Sequence, residues 1–215
     1  MIIWLLSLAI LVSGILAIWF GYRQPQGGFY LFKPLTMVLI IFIPLLGEGG
    51  SPLLKALLVG GLCFSLLGDI FLMLPGDRFL AGLAAFFIAH LFYCAVFWID
   101  QGTLIWWTGL PVAGLAGVAG WYLKDGFGEM KIPAYAYLGV ICIMVWLAFS
   151  RWMGDGRLES LLAFSGAVLF MISDLILAIN RFKVELKSAR ALDLLTYYCG
   201  QWLFALSVIG LDWLG

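Results

Sequence analysis

Eight apolar stretches, residues 2–20, 34–47, 54–74, 79–99, 103–123, 133–150, 158–178 and 191–212, follow one another along this chain with only short connections between them. About 20 mostly apolar residues are what one helix needs to cross the hydrocarbon of a bilayer, where each backbone N–H and C=O must be satisfied within its own segment. The pattern predicts an all-α, polytopic membrane helix bundle with about eight transmembrane helices, residues 1–215 forming a single transmembrane domain. A soluble core is excluded by composition: 64% of the 215 residues are hydrophobic and 11% charged, against roughly 25% charged in a soluble domain. The opening MIIWLLSLAI has no positive n-region and no clear cleavage site follows it, so the first stretch reads as a helix and not as a signal peptide.

Net charge is zero and no long basic run occurs, which leaves nucleic acid unsupported as a partner. Positive charge is nevertheless lopsided. The connections after the first, third, fifth and seventh stretches carry Arg23, Lys33, Arg78, Lys124, Lys131, Arg181, Lys183, Lys187 and Arg190, while the opposite side has Lys55, Arg151 and Arg157. By the positive-inside rule the richer side faces the cytoplasm and both termini point away from it. Cys63, Cys94, Cys142 and Cys199 fall inside the apolar stretches without a CxxC pair, and are expected to pack the core.

At an offset of 105 residues the two halves echo each other, LGDIFL (67–72) matching ISDLIL (172–177) and Tyr93-Cys94 matching Tyr198-Cys199. A four-helix unit repeated in parallel, with halves 1–105 and 106–215, would give this pattern, since an even helix count returns the second copy to the same orientation. In the fifth stretch Gly114, Gly117 and Gly120, with Ala113 and Ala116, form small-residue stripes expected to let helices approach closely. Pro44 and Pro111 are expected to kink their helices. Trp19, Trp98, Trp106, Trp121, Trp152 and Trp213 lie near stretch ends, as interfacial anchors do.

A carboxylate inside the hydrocarbon costs about 2.5–3.5 kcal/mol on insertion scales and so calls for an explanation. Asp69 and Asp174 qualify. Each lies about five residues from the cytoplasmic end of its stretch, about 7 Å below that interface, so both could line one cytoplasm-facing cleft. Capping, pairing with a neighbouring helix or snorkelling is the alternative for each. His90, the only histidine, sits near mid-bilayer with Tyr93 almost one turn on. A short hairpin makes its helix the neighbour of the Asp69 helix, at a depth that favours a water or substrate group between Asp69 and His90 over direct contact. Tyr197 and Tyr198 stand four and three residues before Gln201, a polar stripe facing the bundle interior, either as interhelical glue or as a site. Lys33, before Pro34 at the cytoplasmic entrance of the second stretch, reads as a snorkelling anchor or as a ligand for an anionic headgroup. One histidine rules out a three-histidine zinc site, and no metal or other cofactor is expected. No G-x-S-x-G occurs, and Ser65, one turn before Asp69, has no histidine at a demonstrable distance.

The run GDIFLMLPGDRFLAGLAAFFIAHLFY (68–93), the later SGAVLFMISDLILA (165–178), Lys33-Pro34 and YYCGQWLFALS (197–207) together resemble the YhhN-like family of lysoplasmalogenases over nearly the whole chain. The resemblance implies an eight-helix hydrolase that cleaves the vinyl ether of a lysophospholipid, lysoplasmenylcholine or lysoplasmenylethanolamine, to a fatty aldehyde and a glycerophospho-base. It implies Asp69 and Asp174 as catalytic residues. Lys33, His90, Tyr93, Tyr198 and Gln201 would then bind or orient substrate. Such a reaction needs one protonated carboxyl and one carboxylate, as a glycosidase does; which aspartate is the acid stays open. From the residues alone, a small proton- or cation-coupled transporter using the same pair is the rival reading.

Overall fold

The structure, a computed structural model, describes residues 1–210. Eight α-helices occur among them: α1 (Ile2–Gly21), α2 (Gly27–Leu46), α3 (Pro52–Met73), α4 (Phe79–Ile99), α5 (Gly109–Leu123), α6 (Lys131–Asp155), α7 (Leu158–Phe182) and α8 (Ala189–Leu206). Single 3-10 turns, Trp106–Thr108 and Gly128–Met130, lead into α5 and α6. By length and composition α1, α2, α3, α4, α6 and α7 are each able to cross a membrane. At about 22 Å the 15-residue α5 is shorter than the roughly 30 Å hydrocarbon core. Residues 211–212 of the eighth stretch and Trp213 lie outside the described residues.

Lipid explains which side chains face outward. Trp4, Leu8, Leu11 and Ile15 on α1 and Leu110, Leu115, Val118 and Trp121 on α5 are all exposed, an arrangement that water would punish and hydrocarbon accepts. Polar groups collect inside instead: Ser13, Lys33, Thr36, Ser65, Asp69, His90, Asp174 and Gln201 are buried. Trp19, Trp98, Trp106 and Trp121 are exposed near helix ends, whereas Trp152 is half-buried and stacks on Phe164 at 5.4 Å between ring centroids.

Consecutive helices pair as hairpins, α1 with α2, α3 with α4 and α7 with α8, and the two halves join where α4 packs on α6 and α8 on α2. Two close approaches depend on glycine. A Cβ at Gly61 would stand 2.4 Å from the ring of Tyr93, and one at Gly200 would stand 2.9 Å from the carbonyl oxygen of Gly166. Small residues thus set the α3–α4 and α7–α8 contacts. The α5 stripe does not: Gly114 and Gly117 meet open space, and Gly120 alone reaches α6, at Tyr135 and Leu138. Cys63 likewise is exposed and does not pack the core.

Helix boundaries change three expectations. Because α2 begins at Gly27, Lys33 and Pro34 lie inside it and not at its entrance. Lys33 therefore leaves the tally of surface charge, although the bias between the two sides stands. Pro111 falls in the first turn of α5, where N–H groups have no intrahelical partner, so it needs no kink. Asp69 is one turn from the end of α3, but α7 runs on to Phe182 and places Asp174 two turns from its end. Arg151, counted as a connection residue, is buried in the last turns of α6 and pairs with Asp100 at the end of α4.

Candidate active site

Asp69 is held by donors on both oxygens. Lys33 of α2 places its Nζ 3.0 Å from Oδ1, and Tyr197 of α8 donates its hydroxyl to Oδ2 at 2.8 Å. Asp69 is 2% exposed and Lys33 6%. Charges this far from water depend on each other, because removing either partner would leave the other desolvated and unpaired. The hydroxyl of Tyr198, one residue on, donates to the carbonyl of Lys33 at 3.4 Å and braces the turn of α2 that carries the lysine.

Asp174, 9% exposed, is held differently. Tyr137 of α6 donates to Oδ1 at 3.1 Å, while Oδ2 faces Nε2 of His90 at 3.5 Å. Neither Oδ2 nor Nε2 has a hydrogen-bond partner. The other ring nitrogen, Nδ1, lies 2.6 Å from the carbonyl oxygen of Phe86, which can only accept, so Nδ1 carries a hydrogen. Nε2 then bears a lone pair in the neutral ring. One further proton between Nε2 and Oδ2 would join the pair, as carboxylic acid against imidazole or as carboxylate against imidazolium.

His90 therefore faces Asp174 and not Asp69, contrary to the expectation from the short α3–α4 hairpin. Being next to α3 in sequence fixes which helices touch, not which face of α4 turns to which neighbour, and the His90 face turns toward α6 and α7. The two acids do not touch but share a wall. Phe170 lies tilted 4.6 Å from His90 and edge-on 5.4 Å from Tyr197, centroid to centroid, and Phe86 lies 5.9 Å from Tyr197.

Tyr93 and Gln201 come together as well, but with each other. Tyr93 donates to Oε1 of Gln201 at 2.8 Å, Gln201 Nε2 donates to Oγ of Ser65 at 3.1 Å, and Ser65 and Tyr93 hydroxyls are 3.0 Å apart. This closed ring ties α3, α4 and α8 one turn from Asp69. Sequence reasoning missed Tyr137, Ser173 and Asp193. Ser173 donates to Asp193 at 2.7 Å, and Asp193 lies close enough to Lys33, Asp69 and Asp174 to feel the charge of each. The signal for Asp193 was present, an acid one turn before Tyr197 in an apolar helix; Tyr137 had none.

A bundle that is apolar outside and polar at its centre, with two buried carboxylates in unlike surroundings, defines a multi-pass membrane protein built around an internal acid pair. Residues 28–208 match the YhhN family, and the chain belongs to it. It is 30% identical over 208 residues to the membrane protein YhhN of Escherichia coli, covering 94% of this chain and 97% of that protein. It is 33% identical over 209 residues to lysoplasmalogenase TMEM86B of Mus musculus (96% and 86%) and 38% identical over 154 residues to lysoplasmalogenase TMEM86A of Homo sapiens (69% and 63%). No solved structure matches the chain.

Proposed function

We propose that this protein is a membrane-embedded lysoplasmalogenase-type hydrolase, cleaving the vinyl ether of a lysoplasmalogen to a fatty aldehyde and a glycerophospho-base, with Asp174 as the acid and Asp69 as the fixed carboxylate. Kinship with proteins named lysoplasmalogenases supports the reaction. One observation supports the division of labour: Asp69 has both oxygens engaged by donors, whereas Asp174 has a free oxygen facing a free imidazole nitrogen.

The chemistry needs no nucleophilic serine. The proton shared by Asp174 and His90 passes to the vinyl carbon beta to the ether oxygen; the two π electrons form the new C–H bond, and a lone pair of the ether oxygen stabilises the adjacent carbon as an oxocarbenium ion. Asp69, kept negative by Lys33, stabilises that cation, as preorganised charge does in a dry site. Water adds to the cationic carbon and returns its proton to the Asp174–His90 pair. The resulting hemiacetal collapses to aldehyde and glycerol hydroxyl, so one water is consumed and no net proton. Tyr137 and Tyr197 orient the two carboxylates, and the Ser65–Tyr93–Gln201 ring and Tyr198 position the helices that carry them. The excess of Lys and Arg at the nearby helix ends supports a site opening toward the cytoplasm, with both termini on the other side.

Purified protein in micelles is expected to release aldehyde from lysoplasmenylcholine or lysoplasmenylethanolamine, read by a coupled dehydrogenase. His90→Phe, which removes the shared-proton partner, is expected to lower kcat about 10²-fold. Proton-coupled uptake in liposomes without lipid turnover would establish the transporter reading and overturn this one.

A further inference from the structure

Lys33, the cation expected to meet a headgroup phosphate, is committed to Asp69 inside the bundle. If the substrate is a phospholipid, its charge must be met elsewhere. Toward the end of the bundle nearer to both acids, a cavity of about 550 Å³ opens between the α3–α4 turn and the end of α7, lined among others by Leu72, Asp77, Arg78, Leu177, Arg181 and Glu185. Its charges balance, two cations against two anions. Arg181 holds Asp77 at 2.5 Å and stacks over Phe79 at 4.9 Å. Arg78 and Glu185 have no ion-pair partner among the described residues, so the rim offers one unclaimed positive and one unclaimed negative group. Asn180 Oδ1 accepts the backbone N–H of Leu186 at 2.9 Å and holds the loop that carries Glu185 against the end of α7.

Helical register connects this cavity to the acids. Leu72 is three residues beyond Asp69 on α3, and Leu177 and Arg181 are three and seven residues beyond Asp174 on α7, so the faces that bear the carboxylates continue into the cavity lining. Seven residues of helix rise about 10 Å. From this we infer that the cavity is the phospho-base subsite: phosphate bound by Arg78 and Arg181, the amine facing Glu185 and Asp77, and the glycerol lying over Leu72 and Leu177 with its ether toward Asp69 and Asp174. The inference rests on the proposed lipid hydrolase and adds where its headgroup sits. Arginine suits the phosphate because its planar fork retains free N–H donors while Asp77 occupies one edge.

The test compares two substrates on the purified full chain, lysoplasmenylcholine and the headless 1-O-alkenylglycerol. Arg78→Gln and Arg181→Gln are each expected to lower kcat/KM for the phospholipid about tenfold to a hundredfold, chiefly through KM, and to erase the preference over the headless lipid. Glu185→Gln is expected to weaken the choline lipid and to spare the same lipid ending in a phosphate monoester. Glycerophosphocholine should compete with the phospholipid and inorganic phosphate should not. Variants that match the wild type on lysoplasmenylcholine, or that lose activity equally on both substrates, overturn the subsite. Equal inhibition by inorganic phosphate would reassign the cavity to free anions and overturn it too. A wild-type protein that releases aldehyde from neither lipid overturns the underlying enzymatic reading instead. Since Arg78 holds no ion pair, its replacement tests the idea without dismantling the Arg181–Asp77 contact.

Discussion

Asp69 and Asp174 stand 105 residues apart, on α3 and α7, and each accepts one tyrosine hydroxyl, Tyr197 for the first and Tyr137 for the second. Beyond that they diverge. Asp69 is held ionised by a lysine at 3.0 Å, whereas Asp174 faces a ring nitrogen with no hydrogen of its own across 3.5 Å. Burial alone thus leaves the two acids in unlike settings, because what separates them is the number of hydrogens on the facing groups. A saturated carboxylate can only provide a field. A carboxyl sharing a proton with imidazole can also give that proton away.

The wiring follows the same rule in both halves. Each acid is held from the helix before it, α2 for Asp69 and α6 for Asp174, and from the last helix of the opposite half, α8 for Asp69 and α4 for Asp174. We take this exchange as support for the parallel four-helix repeat, with the lysine and histidine as its departures from symmetry.

The largest expected effect removes either acid. Asp174→Asn and Asp69→Asn should each cut aldehyde release by about 10³-fold, the middle of the range for a positioned acid–base group and the upper end for a lost electrostatic stabiliser. Their stabilities should differ, and here the comparison can be broken. Asp69→Asn strands a buried ammonium and should cost about 3–5 kcal/mol by unfolding in detergent, recovered in large part by adding Lys33→Met, with activity still absent. Asp174→Asn keeps an acceptor for Tyr137 and gives His90 Nε2 a donor, so its loss should stay under about 1.5 kcal/mol; equal losses would mean the two sites are alike after all.

Smaller changes sharpen the contrast. Tyr197→Phe removes a bond to a charged carboxylate and should destabilise by about 1.5–3 kcal/mol, against about 0.5–1.5 kcal/mol for Tyr137→Phe if Asp174 carries the shared proton. The smallest effect belongs to Asp77, outside the spanning segments, whose hydrogen bond from Arg181 holds its carboxyl below the usual carboxylate range. Its contribution is present above the ordinary value and lost as pH falls through the lowered one. Being fully exposed, it should leave the unfolding midpoints of wild type and Asp77→Asn nearly superimposable down to about pH 4, the ordinary aspartate value, and merge them below that.

Helix placement was largely legible from hydropathy, because the bilayer requires the same length and apolarity of each span; the fourth stretch, 79–99, coincides with α4, Phe79–Ile99. The acids were legible too, being costly where they are. Their partners were not. Lys33-Pro34 has the local pattern of a helix entrance because proline favours the first turn, and only packing against α3 reveals that the helix begins earlier and carries the lysine inward. Tyr137 sits among many aromatic residues with nothing local to mark it, and the stripe that marked Tyr197 pointed to Gln201 and not to Asp69. Hydropathy reports whether a helix meets lipid, and it is silent about which rotation of that helix meets its neighbours.

Tyr197 and Gln201 both belong to α8, which is made after α1 through α7. A ribosome that has delivered α1 through α7 has therefore inserted a bundle whose Lys33–Asp69 pair lacks its tyrosine and whose Ser65 and Tyr93 lack the amide that closes their ring. The interior is completed only when α8 joins it, so a chain cut short before that helix would carry its membrane address intact and be recognisable to quality control only by an unfilled polar centre.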